Sequence, residues 1–166
     1  MFRFFFQAYS LVDKEKFYSS VIKALNADES LSASLTNIHA YILRAEALVD
    51  ASGISGASTV AGTDSAKSEQ SSHSQNALLD VEEALKRLEP LIKGGGDKSA
   101  QTLVLELKAR AHRVAADANE AMGRFPEAMV EFKQWADCKQ DPSYQAKAVK
   151  EVQRIKERQG KSSVRT

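Results

Sequence analysis

The stretch Thr102–Phe132, TLVLELKARAHRVAADANEAMGRFPEAMVEF, decides how the rest of the chain is read. Val104, Leu107, Ala111, Val114, Ala118 and Met122 recur every three or four residues, while Lys108, Arg110, Arg113, Asp117 and Glu120 fall off that stripe. Apolar residues at this period make one face of an amphipathic helix. Gly123 ends it, and Pro126 suits the first turn of a second helix, where a missing N–H costs nothing. Ala128, Met129, Phe132 and Ala136 continue at helical spacing beyond it. The stretch is a helical hairpin with a tight turn at Gly123-Arg124-Phe125.

The same period recurs outward from this hairpin. Downstream of Asp141-Pro142, a helix is predicted over residues 143–158, with Val149, Val152 and Ile155 on one face and charges on the other. Upstream, helices are predicted over 76–92 and 35–51, preceded by a first pair over 2–12 and 14–27. About seven helices result, with no alternating strand pattern. Between Ser52 and Gln75 lie eight serines, two threonines and three glycines without periodic apolar positions. Such a segment buries too little surface to offset its ordering entropy, so residues 52–75 read as a disordered insertion. Residues 94–98, which include the Gly94-Gly95-Gly96 run, read as a flexible joint. The domain is expected over 1–158, and residues 159–166 as a disordered basic tail.

Composition narrows the functional classes. A chain of 166 residues can bury a core as one domain without disulfides or metals. Its 23 basic and 22 acidic residues leave a formal charge of +1, which gives no long-range field toward nucleic acid or membrane. Cys138 is the only cysteine and there are three histidines, too few for a disulfide or a Cys/His metal framework; a reducing, cytoplasmic setting follows. The opening aromatic run Met1–Phe6 reaches Gln7, Ser10, Asp13 and Lys14 before an apolar signal-peptide core could form, and reads as a helix start. No run of about 18 apolar residues exists to span a membrane. His39, His73 and His112 have no nucleophile or ligand at a recognisable spacing, and Gly94-Gly95-Gly96 lacks a phosphate-loop signature. No catalytic residue, cofactor or metal is therefore expected, and the chain does not read as an enzyme.

Internal repetition carries the architecture. Phe4-x-x-Gln7-Ala8-x-x-Leu11 is followed by Phe17 and Ser20-x-x-x-Ala24. Tyr41-x-x-Arg44-Ala45-x-x-Leu48 is followed, across the insertion, by Ala77-x-x-x-Val81, Ala84-Leu85 and Pro90. His112-x-x-Ala115-Ala116-x-x-Asn119 is followed by Gly123, Phe125 and Ala128-x-x-x-Phe132. Small residues at Ala8, Ala45 and Ala116, and at Ser20, Ala77 and Ala128, let paired helices approach closely. On these residues the chain resembles the tetratricopeptide repeat (TPR) family, in degenerate form. The resemblance implies an all-α, right-handed α-α superhelix of about three hairpins plus a C-terminal capping helix, used to bind protein.

In layout the chain is similar to co-chaperone-type TPR domains, which implies a chaperone-related adaptor. Tyr41-Ile42-Leu43-Arg44-Ala45 looks like a segment of their middle repeat. Those domains grip an acidic chaperone tail with lysine, asparagine and arginine, and the matching positions here are Phe2, Phe6, Leu43, Arg110 and Val114. Only Arg110 is a cation, so the usual carboxylate clamp is not expected. The concave groove implied by the family would be lined by Phe2 and Phe6, then His39, Ile42, Leu43 and Glu46, then Arg110, Arg113 and Asp117. A partner peptide or helix laid into that groove is the expected ligand. The alternative is a structural subunit that docks through its outer faces and through the basic segment from residue 140 onward, which carries seven basic and three acidic residues. With no aromatic interleaved after Tyr144, nucleic acid is not an expected partner.

Overall fold

A computed structural model describes residues 10–28, 34–52, 64–94, 97–139 and 141–163. Six helices occupy them: α1 (Leu11–Ala27), α2 (Leu35–Ala51), α3 (Asp64–Lys93), α4 (Lys98–Ala121), α5 (Phe125–Lys139) and α6 (Pro142–Ser163). No strand occurs among the described residues, which makes the fold all-α. None of these helices is long and apolar enough to cross a membrane. The helix expected over 2–12 falls largely outside the described residues.

Local chemistry sets the boundaries. The side chains of Ser10, Ser34 and Asp97 each accept a hydrogen bond from the backbone N–H three residues on, at 3.2, 3.2 and 2.7 Å, and so cap α1, α2 and α4. At the end of α4, Gly123 adopts φ 71°. Its N–H bonds to the Glu120 carbonyl at 3.0 Å and that of Arg124 to the Asn119 carbonyl at 2.8 Å. These crossed bonds satisfy carbonyls the helix leaves open, in the turn that a left-handed glycine permits. Asp141 caps α6 through the Ser143 N–H at 2.8 Å, ahead of which Pro142 needs no partner.

Three readings of chain organisation change. Helix α3 begins at Asp64 and so takes in residues 64–75 of the stretch read as a disordered insertion; Ser74 is fully buried there. Serine-rich composition hid the helix because the apolar residues that anchor it, from Ala77 onward, lie downstream. Lys98, expected in a flexible joint, is the first residue of α4 because Asp97 caps it. Helix α6 runs on through residues 159–163 of the expected tail.

Each helix packs on its neighbour in sequence, and α2 also packs on α4. Two apolar clusters follow. The larger joins α1 to α4 through Ile22, Ile38, Ile42, Leu48, Leu88 and Leu107. The smaller joins α4 to α5 and α6 through Ala109, Ala116, Phe132, Trp135, Ala136 and Ile155. Helix α4 serves both, which is why alanines run around its whole circumference. Phe132, with no exposed surface, contributes about 2–3 kcal/mol by burial.

The small residues expected at helix crossings divide unevenly. Ala45, Ala77, Ala116 and Ala128 are fully buried. Ser20 is not: it is exposed, and its hydroxyl donates to its own helix at the Lys16 carbonyl, 3.0 Å away. Phe17 is 47% exposed, whereas Ile22 on the same helix is buried; Phe4, Gln7 and Ala8 lie outside the described residues. On α6, Ala148 and Ile155 are buried whereas Val149 is 68% exposed, so the inward face is rotated from the one expected.

Ion pairs tie the helices across these clusters. Arg44 of α2 holds Asp80 of α3 at 2.5 and 2.7 Å and reaches Ser19 of α1 at 3.2 Å. Glu120 of α4, whose side chain is 2% exposed, takes both Arg154 and Arg158 of α6.

Candidate functional site: two faces of the central helix

The groove expected from sequence resolves into separate groups. Phe2 and Phe6 lie outside the described residues. Ile42 has no exposed surface and belongs to the core. Periodicity could not separate it from Leu43 beside it, which is half-buried. His39, Glu46 and Arg110 do come together. The Arg110 guanidinium donates to both Glu46 carboxylate oxygens at 2.8 Å, and lies 2.7 Å from His39 Nε2. Burial, and then Arg110, push the His39 pKa down. A neutral ring whose Nε2 accepts from the guanidinium satisfies that geometry. Burial, and then Glu46, raise the pKa of the nearby Tyr18 phenol. The charge on Arg110 is thus engaged within the protein.

Arg113 and Asp117 follow Arg110 at i+3 and i+7, on the same side of α4, but Arg113 meets α5 and α6 where Arg110 meets α2. Arg113 Nε donates to Asp117 at 3.0 Å, and the guanidinium lies 4.8 Å from the Phe132 ring centre and 5.4 Å from that of Trp135. Glu151 of α6 stands 3.6 Å away. This pair serves the α4–α5–α6 junction, and no contact among the described residues joins it to His39.

A concavity lies elsewhere, in a trough of about 950 Å³ between α3 and α5 with α4 as its floor. Helix α3 turns Leu78, Val81, Leu85 and Ile92 into it, at spacings that keep one face of the helix. Leu105, His112 and Ala115 of α4 form the floor, with Lys108 beside them. The α5 wall is polar: Glu131, Gln134, Asp137 and Cys138. The trough arises because α3 buries Ala77, Ala84 and Leu88 on one side of α4 while α5 buries Ala128, Phe132 and Ala136 on the other.

One contact crosses the trough floor. His112 is nearly buried, and its Nδ1 lies 2.7 Å from Glu131 Oε2. The two residues stand eleven before and eight after Gly123, so pairing the arms of the hairpin across that turn brings them within about one helical turn of each other. Cys138, half-buried at the trough edge, has its thiol pKa raised by burial. At neutral pH it is a thiol, not the thiolate that attacks or ligates. No group of three or more metal-ligating side chains occurs among the described residues. The chemistry on offer in the trough is an apolar row on the α3 wall, edged by Glu82, Lys86 and Glu89, and negative charge without a cation on the α5 wall. No protein-family model, characterised protein or solved structure matches this chain.

Proposed function

We propose that this chain is a protein-binding scaffold, a degenerate TPR-like superhelix without catalytic role, which holds a segment of a partner against its helices in the cytoplasm. The trough between α3 and α5 carries the reading: it measures about 950 Å³, it has an apolar row along one wall, and no described residue fills it. The packing of α2 on α4, in addition to each helix on its neighbour, is the pattern stacked helical hairpins need. Fully buried alanines at Ala45, Ala77, Ala116 and Ala128 support the same arrangement.

The paired charges also bear on the ligand. With Arg110 held by Glu46, the face containing His39 and Leu43 offers an acidic chaperone tail no unengaged cation among these residues. A chaperone-related adaptor would therefore recognise its partner by another surface. On the basic last helix Arg154 and Arg158 are likewise held by Glu120, which leaves lysines such as Lys150 and Lys156 as its exposed cations.

Site-specific photo-crosslinking in cells tests the reading, with the crosslinker placed singly at Gln134 in the trough, Leu43 on α2 and Val149 on the outer face of α6. A discrete protein adduct from Gln134 is expected. Adducts from none of the three positions would overturn the scaffold reading, and adducts from Val149 alone would favour a structural subunit docking by its outer faces.

A further inference from the structure

We infer that the α3–α5 trough takes an amphipathic α-helix of a partner protein, one that sets aliphatic side chains against α3 and turns lysines or arginines toward α5. This rests on the scaffold reading and adds the shape and charge of the ligand.

The shape follows from the walls. Leu78 to Ile92 spans about four helical turns, roughly 21 Å, and its apolar residues recur at helical spacing along that length. A helix laid alongside meets such a row with its own residues at i, i+4, i+7 and i+11. An extended peptide would bring unpaired backbone N–H and C=O groups against Leu78, Val81 and Leu85, where nothing can bond them. A helix arrives with those groups already satisfied. On the α5 wall only Gln134 could bond a peptide backbone as both donor and acceptor, too little for an extended strand.

The charge follows from what the α5 wall has left unused. Glu131 gives one oxygen to His112, and Asp137 accepts at one oxygen from Gln145 Nε2 at 3.1 Å. The second oxygen of each takes no hydrogen bond among the described residues. Glu82 on the opposite rim has no ion pair there either. No lysine or arginine of α5 lines the trough to answer them. On the α3 and α4 sides Lys86 and Lys108 balance Glu82, and Glu89 is paired with Lys93, so the unanswered negative side of the trough is α5. A ligand helix complementary to this asymmetry is apolar toward α3 and basic toward α5.

Cys138 makes the test direct, since it is the only cysteine and lines the trough. The probe is a synthetic alanine-based helix of about 18 residues with leucines at i, i+4, i+7 and i+11 and lysines along one flank. Two controls accompany it, one with glutamates replacing the lysines and one broken by a central proline. Alkylation of Cys138 by N-ethylmaleimide is followed at mildly alkaline pH on the full chain. The lysine-flanked helix is expected to slow alkylation by about tenfold at saturation and the controls to leave it within about twofold. The variant Gln134→Lys/Asp137→Lys, both exposed positions, should bind the lysine helix about threefold to tenfold more weakly and favour the glutamate helix. Ile92→Glu, at a position 39% exposed, should weaken both while leaving the circular dichroism of the protein unchanged.

Equal protection by the lysine and glutamate helices, or no reversal in the double-lysine variant, would overturn the charge assignment. Equal protection by the proline-broken peptide would overturn the helix. Absence of any protection would overturn the inference as a whole, and in that case crosslinks from Leu43 would show that the scaffold reading survives it.

Discussion

Glu120 gives the sharpest test of how this fold is held together, because the two sides of its ion pair sit in different surroundings. Its side chain is 2% exposed, whereas those of Arg154 and Arg158 are 43% and 58% exposed. Arg154 grips both carboxylate oxygens at 2.6 Å. Removing both arginines, as Arg154→Ala/Arg158→Ala, strands a buried negative charge. Breaking a buried pair costs about 3–5 kcal/mol, and the partial exposure of the arginines reduces this to about 2–3 kcal/mol. Glu120→Gln does the opposite: it keeps the shape and releases two arginines into water they already touch, at about 0.5–1.5 kcal/mol. Adding Glu120→Gln to the double arginine variant should therefore recover stability, since no charge is then stranded. Urea unfolding followed by the fluorescence of Trp135, the only tryptophan, measures all of these. Trp135 lies 5.3 Å, ring centre to ring centre, from Tyr144 of α6, so its emission reports the docking of that helix. The reasoning is refuted if Glu120→Gln costs as much as the double arginine variant, or if the triple variant is the least stable of the set.

The same carboxylate predicts a pH dependence. Burial opposes its charge, but the hydrogen bonds and charges of Arg154 and Arg158 prevail and hold its pKa below the ordinary value of 4.5. A lowered folded pKa stabilises the protein above the unfolded value, and that contribution is lost as pH falls through the folded one. The stability difference between the native chain and Glu120→Gln should thus shrink below about pH 4.5 in urea titrations. Gly123→Ala forces φ 71° on a residue with a Cβ and should cost about 1 kcal/mol, with Gly123→Asn milder, although nothing crowds the site; thermal melts decide it. Ser74 is fully buried and its hydroxyl has no hydrogen-bond partner among the described residues. Ser74→Ala is expected to raise stability by about 0.5–1 kcal/mol in the same melts.

The parts of this fold that could be read from sequence are those written in consecutive residues. The stripe from Val104 to Ala118 and the Gly123 turn specify a helix and its end through interactions within a few residues, and the structure places both where the pattern puts them. The α5 packing face, from Ala128 through Phe132 to Ala136, is legible for the same reason. Residues 64–75 were not, because their helix extends from an anchor that lies downstream of them. Ser20 was misread because a small residue at the right spacing need not mark a helix crossing: its side chain is exposed and bonds to its own helix.

The site was less legible than the fold for a physical reason that the arginines make plain. Sequence shows a guanidinium but not what it reaches. Arg44, Arg110 and Arg154 each meet a carboxylate on a different helix, and Arg113 covers two aromatic rings. A near-balance of charge in composition becomes, in three dimensions, a set of internal pairs that leaves the expected groove with little to offer an anion. Some of the charge left without an ion pair among the described residues lies around the trough, at Glu82, Lys86 and Lys108, beside the unused oxygens of Glu131 and Asp137. That is where binding would gain most. An ion pair formed there breaks no internal pair, whereas one formed with Arg110 must first displace Glu46. Selectivity between the two surfaces thus follows from which charges the fold has already neutralised, and only the tertiary packing of α3 and α5 about α4 decides that.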